Sequence, residues 1–236
     1  MRRLHAVGQH EKFVASGLYR CYQDGRYTGL EEHWSIHEVG GAQFIRVDRD
    51  GRQADGRSEL YEILRVPDGT IERIDLRAYG SRDDPFRQIK VSYTFFDNRV
   101  EIVRIVDHKQ RHEAELIVPP GYVVLLKLLI LTGFSIARAS ENEDHRTPVF
   151  TGAQQVVDEN AWAGLAGEMN TPRYIGDDEI EIAGRPYPAR YFQQRNDEGS
   201  VMEYWLDRQD VLLRMDVNQI NEARLTRYAR RPESHA

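Results

Sequence analysis

From Phe13 to Val118 the chain alternates apolar and polar residues with a period of two, and short polar pairs interrupt the alternation repeatedly. In segment 26–38, Leu30, Trp34 and Ile36 fall on one face with Thr28 and Glu32, while Glu31, His33, Ser35 and His37 fall on the other. In segment 87–96, Ile89, Val91, Tyr93 and Phe95 oppose Gln88, Lys90, Ser92 and Thr94. Such a pattern describes antiparallel strands with one buried face and one wet face. Asp24-Gly25, Asp50-Gly51, Asp55-Gly56 and Asp68-Gly69 separate these runs. Asp-Gly tolerates the positive φ angles of two-residue hairpin turns, so each pair reads as a turn. Asp97-Asn98 separates two further runs in the same manner. The pattern predicts strands over 13–23, 26–38, 42–49, 58–66, 70–79, 87–96, 99–107 and 111–118, joined as a meander. Arg73, Asp75 and Arg77 share a face with Ile71 and Tyr79, a mixture suited to lining an opening.

Pro119-Pro120-Gly121 ends the meander, and a helix is expected over 122–140. Its first part is apolar from Tyr122 to Leu131 except for Lys127. A membrane-spanning helix needs about 20 mostly apolar residues, so this run reads as a core helix without an integral membrane span. Residues 141–178 are less regular, with a short helix expected near Asp158–Glu168 and Asp158 as its cap. Strands resume at Glu179 and continue over 187–195, 201–207, 211–217 and 222–229. About a dozen strands in one sheet must curl, close or split. The expected architecture is mainly β, an α+β chain in which a large curved antiparallel sheet or half-barrel wraps one apolar helix. A single domain is expected over 1–236.

Composition narrows the classes. The chain has 236 residues, 38 acidic and 32 basic, with a formal charge of −6. That mild acidity gives no electrostatic footprint for nucleic acid. A hydrophobic content of 40% excludes disorder, and a lone cysteine, Cys21, excludes a disulfide scaffold. No apolar stretch follows the arginines at Arg2 and Arg3, so a cytoplasmic location is expected, or a periplasmic one if a signal was removed.

Chemistry-bearing patterns are few. Glu31 and His33 lie about 7 Å apart on one strand face, where a carboxylate and an imidazole lining one cavity could do acid–base work. They are the catalytic candidates. His33 and His37 lie about 13 Å apart on a strand and cannot share an ion without a third ligand. His108 and His112 flank a turn with two basic residues, which opposes cation binding. Asp48-Arg49-Asp50-Gly51 fails as a calcium loop, because Arg46 and Arg57 stand at the first and twelfth positions. Cys21 has no neighbouring base in sequence, which reads as an inert thiol. No phosphate loop, nucleophile elbow or paired-cysteine zinc motif occurs, so no metal and no cofactor is expected.

The run Ile182-Ala183-Gly184-Arg185-Pro186-Tyr187-Pro188-Ala189-Arg190-Tyr191-Phe192, followed by Glu203-Tyr204-Trp205-Leu206-Asp207 and Val211-Leu212-Leu213-Arg214-Met215, resembles the closing strands of the bacterial lipoprotein-carrier fold. That is the unclosed barrel of the lipoprotein localisation factors. The same run is similar to a related bacterial family of unknown function with a Tyr/Trp-Leu-Asp strand before its last hairpin. The match covers about the last 60 residues in pattern and the rest in strand order. A small bacterial enzyme of indole-pigment biosynthesis also resembles this fold, so the architecture does not exclude catalysis. The resemblance implies an apolar cavity between sheet and helix, sized for acyl chains or another hydrophobic small molecule. Trp34, Tyr93, Phe95, Leu126, Ile130, Phe134, Tyr191 and Trp205 are the ligand-binding candidates. Two alternatives stand beside this reading: an enzyme of secondary metabolism using Glu31 and His33 in the same cavity, and a structural protein that pairs with a partner or forms a homodimer through the sheet edge at Glu222–Ala229.

Overall fold

The computed structural model describes residues 1–80, 87–152 and 163–232. The first block of strands follows the alternation: β1 (Lys12–Gln23), β2 (Arg26–Val39), β3 (Ala42–Gly51), β4 (Arg57–Arg65), β5 (Ile71–Tyr79), β6 (Gln88–Phe95), β7 (Arg99–Val106) and β8 (Gln110–Ile117). After a short β9 (Val123–Leu125) comes the helix α1 (Leu129–Ser140), then β10 (Arg146–Thr151) and β11 (Leu165–Asn170). The second block is β12 (Arg173–Ile182), β13 (Arg185–Arg195), β14 (Val201–Leu206), β15 (Leu212–Val217) and β16 (Asn221–Arg230).

Thirteen strands form one antiparallel sheet in the order β12-β13-β14-β15-β16-β1-β2-β3-β4-β5-β6-β7-β8. The second block therefore continues the first, because the last strand pairs with the first: Ala15 faces Arg230 and Tyr22 faces Glu222. The sheet is curved and not closed, with β12 and β8 at its ends. The segment Glu222–Ala229 is thus no edge. It lies inside the sheet order, paired by β1 along its length and by β15 over Asn221–Arg224, so it is not the free sheet edge that an edge-to-edge dimer needs. A separate small sheet, β11-β10-β9, lies beside the helix.

The turns carry the expected backbone chemistry in part. Asp24 and Gly25 both have positive φ, at 50° and 73°, as a two-residue hairpin requires. Asp55-Gly56 turns the chain between β3 and β4, while Gly51 is the last residue of β3. The turn before β8 is built on Asp107 and His108, both at positive φ, so His108 sits in the turn and His112 faces Arg104 across the strand pair.

The helix departs from expectation at its start. Its first seven expected residues do not belong to it, and Val123–Leu125 instead pairs in parallel with Val149–Thr151 of β10. Two adjacent β-branched valines favour this extended backbone once a partner strand lies alongside. The region read as less regular holds β10, β11 and the first half of β12. Of the short helix expected near Asp158–Glu168, residues 158–162 lie outside the described residues, and Leu165–Glu168 belong to β11. No described helix is long and apolar enough to cross a membrane.

Helix α1 is buried on nearly all sides, from Ile130 to Ala137 without interruption. Its contacts explain its composition. A Cβ added at Gly133 would lie 2.3 Å from the Asp210 carbonyl oxygen and 2.7 Å from the Leu212 amide nitrogen. The helix therefore touches the β14–β15 turn backbone-to-backbone, an approach only glycine permits. Backbone cannot yield as a flexible side chain does. Gly133→Ala is expected to lower stability by about 1–3 kcal/mol in urea unfolding. A variant as stable as the native chain would show that the helix does not rest on this turn.

Candidate functional site

A buried carboxylate fixes the helix against the sheet. Glu32 lies on the face of β2 that carries Trp34 and Ile36, and it is only 1% exposed. The residue before the helix, Leu128, offers no side-chain cap. Glu32 supplies that cap from across the fold: the N–H groups of Leu129 and Ile130 each donate to its carboxylate at 3.0 Å. Helix N-termini carry unsatisfied N–H groups and a partial positive charge, so a carboxylate there is doubly matched.

Glu32 opens a ladder of charge across three strands. It faces Arg49 on β3, and Arg49 faces Glu59 on β4. The Arg49 Nη1 donates to Glu59 Oε2 at 3.0 Å, and the Tyr61 hydroxyl donates to the same oxygen at 2.9 Å. Burial pushes the Glu32 carboxyl up to about 7, against the two amide bonds and Arg49, which pull it down. Burial opposes the charge on Arg49, but Glu59, Tyr61 and Glu32 together raise it. Cys21, on the neighbouring strand, is pushed up to about 11, first by burial and then by the Glu32 charge.

With the helix so placed, a cleft of 580 Å³ opens between α1 and one end of the sheet. That volume lies in the range of small-molecule sites. Phe95 and Phe96 from the end of β6, Ile71 from β5, Val124 from β9, and Leu131 and Phe134 from α1 give it an apolar lining. Its rim is charged, with Asp68, Glu72 and Asp97 against Arg99 and Arg138. Several rim groups are held in place. Tyr122 donates to the Phe96 carbonyl at 2.9 Å, and Arg138 donates to the Asp68 carbonyl at 3.3 Å. The Arg99 guanidinium lies 4.2 Å from the Phe96 ring centre, and that of Arg65 lies 4.4 Å from Phe134. Cations over aromatic faces at these distances are attracted by the ring quadrupole.

The expected site residues divide. Phe95 and Phe134 line the cleft. Tyr93 packs beside them, its ring 5.6 Å from Phe150 in an edge contact. Leu126 and Ile130 are buried in the core, and Leu126 fills the space beside Gly152. Trp34 stacks on Tyr19 at 6.0 Å and is also core. Tyr191 and Trp205 stack on each other at 5.0 Å, with the Trp205 indole donating to Asp178 at 2.8 Å. Neither of those two lines the cleft.

Glu31 and His33 meet, with His33 Nε2 3.4 Å from Glu31 Oε2. They do so on the face of β2 opposite Glu32, with the sheet between them and the helix. The cavity between helix and sheet therefore does not contain them, which corrects the expectation of an acid–base pair there. Arg20 also engages Glu31 at 2.8 Å; burial raises the Glu31 carboxyl, but Arg20 outweighs it and holds it below the usual range. Sequence reasoning missed Glu32, Arg49 and Glu59 as a unit. The available signal was a glutamate in register with Leu30, Trp34 and Ile36, which is a carboxylate on an apolar face. Among the described residues, no three His, Cys, Asp or Glu side chains gather as metal ligands.

No family model and no curated protein matches the chain. Among solved structures, the chain is similar to a β-barrel-like protein of a domain of unknown function, DUF1849, from Brucella abortus. The two share 10% identity over 94% of this chain and 99% of that one, with a TM-score of 0.52. At that identity the likeness shows the fold alone, an unclosed barrel-like sheet. A structure of PNGF-II aligns over 93% of this chain but 28% of its own length, at 11% identity and a TM-score of 0.36, too low to bear on the fold.

Three outcomes follow from the buried ladder and the neighbouring Cys21. Glu32→Ala leaves the Leu129 and Ile130 amides without their acceptor, while Arg49 keeps Glu59, and is expected to cost roughly 2–5 kcal/mol in urea unfolding. The pH dependence has a definite sign. A carboxyl with a raised folded pKa stabilises the fold fully below the ordinary glutamate range, and that contribution is lost as pH rises towards 7. His37, held low first by burial and then by Arg46, acts in the opposite sense, so the comparison must be a difference. Between about pH 5 and pH 7.5 the native chain should lose stability relative to Glu32→Gln; parallel pH curves would refute the buried titration. The Cys21 thiol should react slowly with iodoacetamide at neutral pH in the folded chain and at an ordinary rate after denaturation. Equal rates would contradict the raised thiol of this half-buried residue.

Proposed function

We propose that the chain binds a small amphipathic molecule, with its apolar body in the cleft between α1 and the end of the sheet and its polar end at the charged rim. The observation that carries this reading is an aromatic and aliphatic lining beneath a rim of both signs. Binding sites for small molecules are mostly apolar with a few placed polar groups. The ligand is a hydrophobic compound of fatty-acyl or fused-ring type. Arg99 and Arg138 favour an anionic head on such a molecule, and Asp68, Glu72 and Asp97 select against a highly charged one. The unclosed barrel-like fold is compatible with ligand binding.

A fluorescence titration with anilinonaphthalene sulfonate tests this directly, on protein that unfolds cooperatively. Saturable binding is expected. Ile71→Trp fills the cleft from its half-buried wall and should weaken the dye about tenfold or more. Phe96→Ala removes an exposed aromatic wall and should weaken it by about three- to tenfold. Non-saturable dye uptake, or uptake indifferent to Ile71→Trp, would exclude the cleft as the site.

A further inference from the structure

A second pocket lies away from the cleft, where the N-terminal segment 1–11 passes over the far face of β2. It has a volume of 610 Å³ and is lined by Arg3, Ser16, His33, Ser35, His37 and Arg227 together with apolar neighbours. No carboxylate lines it. The carboxylates nearby already have arginine partners. Asp48 is held by Arg2 at 2.7 Å, Glu11 and Glu62 by Arg46 at 2.6 and 2.9 Å, and Glu31 by Arg20 at 2.8 Å. Arg3 and Arg227 make no ion pair among the described residues. Positive charge at this pocket is therefore not locally cancelled.

The floor adds a second, independent observation. Ser35 and His37 are 4% and 7% exposed. The Ser35 hydroxyl and the His37 Nδ1 are buried there, with no hydrogen-bond partner among the described residues. A buried polar atom without a partner is costly, and such groups call for an explanation in a native fold. An acceptor with several oxygens, placed between two arginines and above these donors, supplies it. We infer that this pocket binds an oxyanion of the sulfate and phosphate class, free or carried by a small molecule. Arginine forks match tetrahedral oxyanions well, and the hydroxyl and imidazole donors complete the set.

The groups around His37 give the site a pH signature. Burial first, then Arg46 from β3 and Arg3 from the N-terminal segment oppose its protonation, Glu11 from the same segment favours it, and the Phe13 ring packs on it edge-on at 5.9 Å. A bound dianion adds negative charge beside His37 and so binds together with a proton.

The test uses the full chain, with sulfate and phenyl phosphate as separate probes followed by nuclear magnetic resonance shifts of the His33 and His37 rings. Sulfate stays a dianion across about pH 5–8, so any pH dependence belongs to the protein. Saturable binding is expected, tightening as pH falls, with the His37 ring shifted. Phenyl phosphate binding more tightly than sulfate would identify a phosphate carried on a small molecule; equal binding would identify the free oxyanion. Arg3→Gln and Arg227→Gln are exposed changes and should each weaken sulfate about fivefold, while leaving dye binding in the cleft unaltered. Loss of the cleft activity alone leaves this site standing. Absence of saturable binding by both probes, or a double variant that binds sulfate like the native chain, would overturn it.

Discussion

One carboxylate ties the helix to the sheet. Glu32 lies on a strand far from α1 in sequence, yet it receives the two amides that begin the helix. Hydrogen bonds to a charged group are worth about 1.5–3 kcal/mol each, whereas a buried carboxylate without them would be strongly penalised. The two requirements are satisfied together only when the helix starts at Leu129 and points its first turn at β2. Arg49 and Glu59 extend the arrangement across the next two strands, so the charge of Glu32 is met on the sheet side as well.

The cleft follows from that placement. The helix is held at its N-terminus by Glu32 and pressed along its side by the β14–β15 turn at Gly133. Its remaining side, with Leu131, Phe134 and Arg138, is left facing the ends of β5 and β6 across open space. A sheet of thirteen strands curls enough to reach the helix from both flanks without closing on it. Space between the helix and the far flank is therefore a product of topology, while its apolar lining is a product of strand alternation. The second pocket has a different origin. It belongs to the wet face of β2 and depends on the N-terminal segment, not on the helix.

The sheet was largely legible in the sequence because its signals are local. Alternation at Ile89, Val91, Tyr93 and Phe95 and the Asp24-Gly25 turn each fix their own neighbourhood, and the first eight strands follow with small changes at their ends. The helix start was not legible, since Val123-Val124 becomes a strand only when β10 comes beside it, and the cap at Glu32 comes from a distant strand. The interior position of β16 was missed for the same reason: pairing of the last strand with the first is a long-range event. For the cleft, Phe95 and Phe134 could be read as apolar residues facing inward. Tyr191 and Trp205 share that character but face a different part of the fold, which only sheet curvature decides. Glu31 and His33 could be placed on one face by counting, but which face looks at the helix depends on Glu32.

Hydrogen exchange of individual amides tests the central claim most directly. In the native chain the Leu129 and Ile130 amides should be protected as strongly as the central strands. In Glu32→Ala those two amides and the first turn of α1 should lose far more protection than β2, β3 and β4, whose protection falls only by the loss of global stability. Unchanged protection at Leu129 and Ile130 in that variant would contradict the claim that this carboxylate seats the helix.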